Sequence, residues 1–437
     1  MSAQLDWITT PAAGPLRGSI DVPGDKSISH RAVMLASLAD GTSRIRGFLE
    51  GEDTRATAHV FGQMGVRIEA TAPGERMVHG VGLHGLHAPA GDLDCCNAGT
   101  AMRLLAGVLA GQAFTSTLVG DPSLSKRPMR RVTEPLARMG ALIEAREGGL
   151  PPLHVHGGRR LRGIEFTPPV ASAQVKSALL LAGLYAAGDT SITELHPTRD
   201  YTERMLAACG WPIEYSPGTA RLSGGHALHA IDIDIPADFS SAAFFIVAAT
   251  MVPGSQLRLR KVGMNPRRTG LLHVLRAMGA DIAEENAHLA GGEPVADLVV
   301  RHATLHGIDV PGQHVADMID EFPALFVAAA CAVGTTTIRG AAELRVKESD
   351  RIAVMATGLR ELGARIEETP DGAVIEGGPL HGGSVASRGD HRCAMSFAMA
   401  GAASDAGIRI SDCANVATSF PGFIELARSC GLRLAAA

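Results

Sequence analysis

EPLARMGALIEA, residues 134–145, reads as the last turns of a helix, a glycine, and the start of a strand. Gly140 stands where a helix closes on a left-handed residue before the chain turns into extended structure. The pattern returns as HVFGQMGVRIEA (59–70), RMLAACGWPIEY (204–215), HVLRAMGADIAE (273–284), GLRELGARIEE (358–368) and LARSCGLRL (426–434). Its glycines, Gly65, Gly140, Gly210, Gly279, Gly363 and Gly431, fall roughly 70 residues apart, and repetition at that period dictates the fold.

A second pattern is interleaved with the first: 31–47, 101–120, 177–194, 241–262, 324–340 and 394–412 each begin as a helix that is apolar nearly all round. Such a helix is buried on every side, whereas the helices ending in glycine carry charges on one face and should be half exposed. One unit is therefore buried helix, turn, strand, surface helix, strand. Six units exceed one ordinary core, which predicts an α/β chain of two domains with three units each, helices inside and sheets outside.

Composition narrows the class. The chain has 437 residues, 46% hydrophobic but only 4% aromatic, so its helices must pack closely through Ala and Gly. The uncharged stretch 240–254 contains a proline and falls short of the roughly 18 apolar residues of a membrane span. No basic segment followed by an apolar core opens the sequence, so no signal peptide is read. Seven cysteines, an odd number with no CxxC, fit a reduced cytoplasm. A net charge of −5 argues against nonspecific nucleic-acid binding, and leaves any anionic ligand to local basic groups.

Those groups cluster where the buried helices begin: PGDKSISHR (23–31), NAGTAMR (97–103), SAQVKS (172–177), DFSSAAF (238–244), IDEFP (319–323) and GDHRCAM (389–395). Backbone N–H groups are unpaired at a helix start and the dipole is positive, so each start is a potential anion site. LSKRPMRR (124–131) and ELRVKESDR (343–351) add further charge. Taken alone, Ser27, Asn97, Ser172, Asp320 or Asp390 reads as an ordinary cap. Their recurrence at equivalent points of successive units points instead to a cleft for a strongly anionic small molecule. Cys95 and Cys96 lack metal spacing and read as structural. Dinucleotide and P-loop signatures are missing.

PGDKSISHRA, NAGTAMR, SAQVKSALLLAG, RVKESDR and DHRCAMSFA, in this order and spacing, resemble the EPSP synthase family from about residue 8 to residue 430. The resemblance implies an inside-out α/β barrel fold: two domains, each of three βαβαββ units, closing over the substrates. It also implies a crossover, with residues 1–22 joining 237–437, residues 23–236 forming the other domain, and hinges near Pro23 and Pro236. The implied reaction moves the enolpyruvyl group of phosphoenolpyruvate to the 5-hydroxyl of shikimate 3-phosphate by addition and elimination, with no metal or other cofactor. Shikimate 3-phosphate and phosphoenolpyruvate are then the only partners, with no nucleic acid or membrane, in a cytoplasmic monomer, and glyphosate competes with phosphoenolpyruvate.

Carried over residue by residue, Lys26, Ser27, Arg31, Ser172, Ala173, Gln174, Thr198, Asp320 and Lys347 match the shikimate 3-phosphate set. Lys26, Asn97, Gly99, Thr100, Arg127, Gln174, Arg351 and Arg392 match the phosphoenolpyruvate set. Asp320, Glu348 and Lys26 match the catalytic groups, with Asp320 taking the 5-hydroxyl proton and Glu348 handling the proton at C3. Three positions depart from family patterns: Leu104 stands where one branch has proline, Thr198 replaces a frequent serine, and Thr418 replaces a lysine that some members direct at phosphoenolpyruvate. A sister enzyme acting on a UDP-linked amino sugar would carry a cysteine loop absent here. A non-catalytic relative would lack a key group, yet Lys26, Arg127, Asp320, Glu348, Arg351 and Arg392 are all present.

Overall fold

The computed structural model describes residues 5–437. By contact density the chain divides into two units: one running through Pro23 and then over Pro236–Leu289 and Pro294–Ala437, the other Gly24–Ile235 with Ala290–Glu293. The short insert 290–293, which groups with the middle of the chain, has no counterpart in the sequence reading. Of residues 1–22, assigned there to the C-terminal half, the first four lie outside the described residues.

All six repeat glycines adopt positive φ, from 83° at Gly210 to 107° at Gly431, as the helix-closing pattern requires. The apolar helices are Lys26–Leu38, Gly99–Ala110 and Ala173–Gly183 in one unit. Their counterparts in the other are Phe239–Met251, Phe322–Ala330 and His391–Ala403. Nearly every residue of each is buried, and within a unit the three pack on one another. Small residues allow this: a Cβ on Gly107 would lie 2.2 Å from the Ala178 carbonyl oxygen, so these two helices meet backbone to backbone.

Among the described residues the strands form six sheets, three per unit. The sheet over Lys26–Leu38 shows the plan. Strand Asp40–Arg46 follows the buried helix and pairs antiparallel with Glu75–Val81, which pairs in turn with Arg67–Ala72. A short edge strand, Ile233–Asp234, joins Asp40–Arg46 in parallel. Five of the six surface helices are thus followed by a hairpin where the residue pattern alone predicts a single strand; in the second strand here, ERMVHGV, Arg76 takes a buried position and Met77 a half-exposed one, so its apolar alternation is weak. In the sixth unit the hairpin partner comes from the chain start: Trp7–Thr10 lies between Ile408–Ser411 and Arg433–Ala436, antiparallel to both.

No helix among the described residues is long and apolar enough to cross a membrane, and no group of three or more His, Cys, Asp or Glu is arranged to hold a metal ion. All seven cysteines are free thiols.

Candidate active site

The expected residues fall into one cluster in each unit. In Gly24–Ile235, Asp25 caps the first buried helix by accepting the Ile28 N–H at 2.8 Å, which places Lys26 and Ser27 in its first turn. Lys26 is ion-paired with the buried Asp53. One turn on, Arg31 is buried and engaged through each of its three nitrogens: Nε donates to Thr202 Oγ1 at 2.7 Å, Nη1 to the Ser27 carbonyl at 2.9 Å, and Nη2 to Ser177 Oγ at 2.7 Å. Burial, and then the Arg199 charge, pull its pKa down to about 10. Between them His30 is buried against Thr57, 2.7 Å away, and burial together with Lys26 and Arg31 holds it well below the usual histidine range.

Asn97, Thr100, Arg103, Arg127 and Gln174 are linked by two short hydrogen-bond chains. Arg127 Nη2 donates to Asn97 Oδ1 at 2.9 Å, and Asn97 Nδ2 to Asp121 at 2.7 Å. Arg103 Nη1 donates to Gln174 Oε1 at 2.8 Å, while Gln174 Nε2 donates to Thr100 Oγ1 at 2.9 Å. A Cβ on Gly99 would stand 3.1 Å from Arg103 Nη1 and 3.3 Å from Arg127 Nη1, so this glycine lets both guanidinium groups come close to the helix start.

The helix starts do not behave alike. Asp25, Asp238 and Asp390 already place carboxylates on the N–H groups of their helices, and Ser172 caps Ala173–Gly183 through the Val175 N–H. A start holding a carboxylate has its anion in place. This corrects the expectation that every start is open to a ligand. In this unit, Gly99–Ala110 is the buried helix without a side-chain cap, and it is the one flanked by Arg103 and Arg127.

Ser172 and Ala173 are buried at the start of their helix. Thr198 is not an open hydroxyl: its O–H is given to Glu194 and its N–H to the same carboxylate at 3.1 Å.

The second cluster centres on Arg351, whose side chain is 1% exposed. Nε donates to Asp390 at 2.9 Å, Nη1 to Asp320 at 3.3 Å, and Nη2 to Glu348 at 2.5 Å. Burial lowers the basicity of this guanidinium, but Asp390, Glu348 and Asp320 more than offset it, so the net direction is upward. Arg392 Nη1 donates to the Asp320 carbonyl at 3.3 Å. On the other side of Asp320, Arg268 Nη1 lies 3.6 Å from Oδ2 and 3.6 Å from Glu321 Oε1, and its Nη2 meets Asp238 at 3.2 Å. Glu321 is wholly buried and accepts from Ser240; burial pushes its pKa up, Arg268 opposes this, and Asp320 adds to it. Asp320 and Glu348 are thus held by one guanidinium, a fork suited to carboxylates.

Lys347 pairs with Glu343 at 2.8 Å one turn back in its own loop. Thr418 donates to the Asn415 carbonyl at 2.7 Å, a local bond closing a 3₁₀ turn. Leu104 is fully buried in its helix. Sequence reasoning missed Asp53, Arg103, Lys176, Glu194, Arg268 and Glu321, whose partners lie 18 to 81 residues away or across helices with no local signature. Charge inside an apolar run, as at Lys176 in SAQVKSALLLAG, was the available signal.

A family model described as EPSP synthase (3-phosphoshikimate 1-carboxyvinyltransferase) matches residues 11–426. The chain is 66% identical over 433 residues to the 3-phosphoshikimate 1-carboxyvinyltransferase of Xanthomonas euvesicatoria pv. vesicatoria, covering 99% of this chain and 98% of that one. It is 66% identical over 430 residues to that of Xanthomonas campestris pv. campestris (strain B100), with 98% of each covered. Among solved structures, an EPSP synthase from Acinetobacter baumannii at 2.37 Å superposes with a TM-score of 0.90 at 50% identity, covering 99% of this chain and 100% of that one.

Proposed function

The chain belongs to the EPSP synthase family, and on that premise we propose that it joins the enolpyruvyl group of phosphoenolpyruvate to the 5-hydroxyl of shikimate 3-phosphate and releases phosphate. The observation that carries this reading is the 66% identity over nearly the whole chain to enzymes named for the reaction, together with the expected charged residues being present, Arg127 and Arg351 each in the polar cluster of its own unit. The step belongs to the synthesis of aromatic amino acids.

In chemical terms, C3 of phosphoenolpyruvate takes a proton, the 5-hydroxyl oxygen bonds to C2 as it loses its own, and a tetrahedral adduct forms. That adduct then loses a proton from the new methyl group and expels phosphate from C2, restoring the double bond. Asp320 is read as the base for the 5-hydroxyl, and Glu348 with Lys26 as the groups that move the proton at C3. Lys26, Ser27, Arg31, Ser172, Ala173, Gln174, Thr198 and Lys347 are read as holding shikimate 3-phosphate. Asn97, Gly99, Thr100, Arg127, Arg351 and Arg392 are read as holding phosphoenolpyruvate, where planar guanidinium forks suit carboxylate and phosphate oxygens. Thr198, with its proton given to Glu194, offers lone pairs and neighbours rather than a donor. The protein is read as a cytoplasmic monomer with hinges near Pro23 and Pro236; seven free thiols support a reducing compartment.

Incubation with both substrates should release phosphate and yield a product heavier than shikimate 3-phosphate by the enolpyruvyl group, with neither seen when one substrate is omitted. Release only with a UDP-linked amino sugar, or no release at all, would refute the reading.

A further inference from the structure

Lys176 closes the first turn of the buried helix Ala173–Gly183 and is 3% exposed. Its Nζ lies 2.8 Å from Glu194 Oε2 and 2.8 Å from Glu203 Oε1, and donates to the Thr198 carbonyl at 3.3 Å. Glu194 returns to the same residue, accepting the Thr198 N–H at 3.1 Å and the Thr198 hydroxyl. One buried ion pair therefore holds all three polar groups of Thr198. Beside it, Ser177 Oγ accepts from Arg31 and from Thr202, and Arg199 Nη1 lies 3.5 Å from Ser27 Oγ.

Burying these charges gains little stability by itself, because apolar side chains of similar volume fill such space as well. What the pair supplies is geometry. It ties the loop after strand Asp189–Thr193 to the helix turn that begins at Ser172, two segments with no backbone pairing to each other that both carry residues read as holding the substrate. Fixing both before the ligand arrives removes an ordering cost from binding.

We infer that Lys176 and Glu194 are positioning residues that lock the 194–199 loop onto the 172–176 turn and so preshape the segments that receive the phosphate group of shikimate 3-phosphate. The inference rests on the functional reading above, which names that ligand, and on the family resemblance, which implies that Ser172, Ala173 and Gln174 lie around its phosphate. It goes beyond that reading because neither residue touches the substrate in it.

The test is calorimetric binding of shikimate 3-phosphate and of shikimate, which lacks the phosphate, to the full-length chain and to Glu194→Gln and Lys176→Met. Glu194→Gln keeps the side-chain shape, and decides the matter if Lys176→Met does not fold. The expected result is a Kd for shikimate 3-phosphate weakened about tenfold or more, with shikimate changed less than about twofold. A purely structural role would lower the thermal midpoint while weakening both ligands alike or neither, and either outcome would overturn the inference. Failure of the unmodified chain to bind shikimate 3-phosphate would instead remove the functional reading and the ligand with it.

Discussion

Replacing Arg351 with lysine keeps the charge and removes the fork. In the native side chain three nitrogens face three carboxylates, Asp390 at 2.9 Å, Asp320 at 3.3 Å and Glu348 at 2.5 Å, from a position 1% exposed. An ammonium is a single point and can sit beside one or two of them. Asp390, wholly buried, retains Ser349 and the Arg392 and Cys393 N–H groups, so it stays satisfied in part. Removing one partner of a buried pair costs about 3–5 kcal/mol, and a lysine that keeps one pairing should cost less, about 2–3 kcal/mol of unfolding free energy. The effect on turnover is larger in proportion. Asp320 and Glu348 lose their common anchor, and a loss of about 3 kcal/mol in the transition state is roughly a hundredfold in kcat. Urea unfolding followed by fluorescence, with steady-state kinetics at saturating substrates, reads both quantities. Stability within about 1 kcal/mol of the native chain and kcat within about threefold would refute the view that this fork organises the carboxylates.

Asp320→Asn and Glu348→Gln preserve shape and remove basicity; kcat should drop about a hundredfold or more in each with KM values moving only several-fold, as initial-rate kinetics will read. Gly99→Ala puts a methyl 3.1 Å from Arg103 Nη1 and 3.3 Å from Arg127 Nη1, so binding on the phosphoenolpyruvate side should weaken by about 1–3 kcal/mol. Competition kinetics should show glyphosate losing more affinity than phosphoenolpyruvate, because it is the longer molecule. His30 is held neutral, so the unfolded chain binds more protons once the pH falls below the ordinary histidine value of 6.5. Stability should then be full above that pH and decline below it by up to about 1.4 kcal/mol per pH unit, and the His30→Gln variant should show a shallower decline in unfolding experiments between pH 6.5 and 5.

The period of the fold was open to reading because each unit ends its surface helix with a glycine that geometry demands. Helix burial was open as well, since a stretch such as SSAAFFIVAATM has no polar face to expose. The hairpin strand after the surface helix was hidden because its inward positions are not uniformly apolar, as with Arg76 buried beside Val78 in ERMVHGV. At the site, the residue types were legible and their partners were not. Asp25, Asp238 and Asp390 look like ligand contacts in a list of helix starts, yet they bond to their own backbones. Arg351 looks like a free cation in RVKESDR, and only packing brings Asp320 and Asp390 to it from 31 and 39 residues away. Local sequence records what a residue can do, and long-range packing decides which of its groups are already occupied.

The strand Trp7–Thr10 sits inside a sheet whose other members are 383–386, 408–411 and 433–436, and Trp7 stacks on Phe423 at 5.5 Å. Arg17–Ile20 likewise pairs with Gln256–Gly263. On the ribosome these two strands are made well before any of their partners, while the three sheets of Gly24–Ile235 find theirs as soon as that stretch is made. Trp7–Thr10 therefore waits for Arg433–Ala436, a sequence separation of about 400 residues that makes this pairing slow. Translation order thus splits the chain into a part whose sheets can form as it is synthesised and a part whose sheets close only once residues 433–436 have been made, and removal of Arg433–Ala436 should leave Trp7–Thr10 as an exposed edge held by Ile408–Ser411 alone.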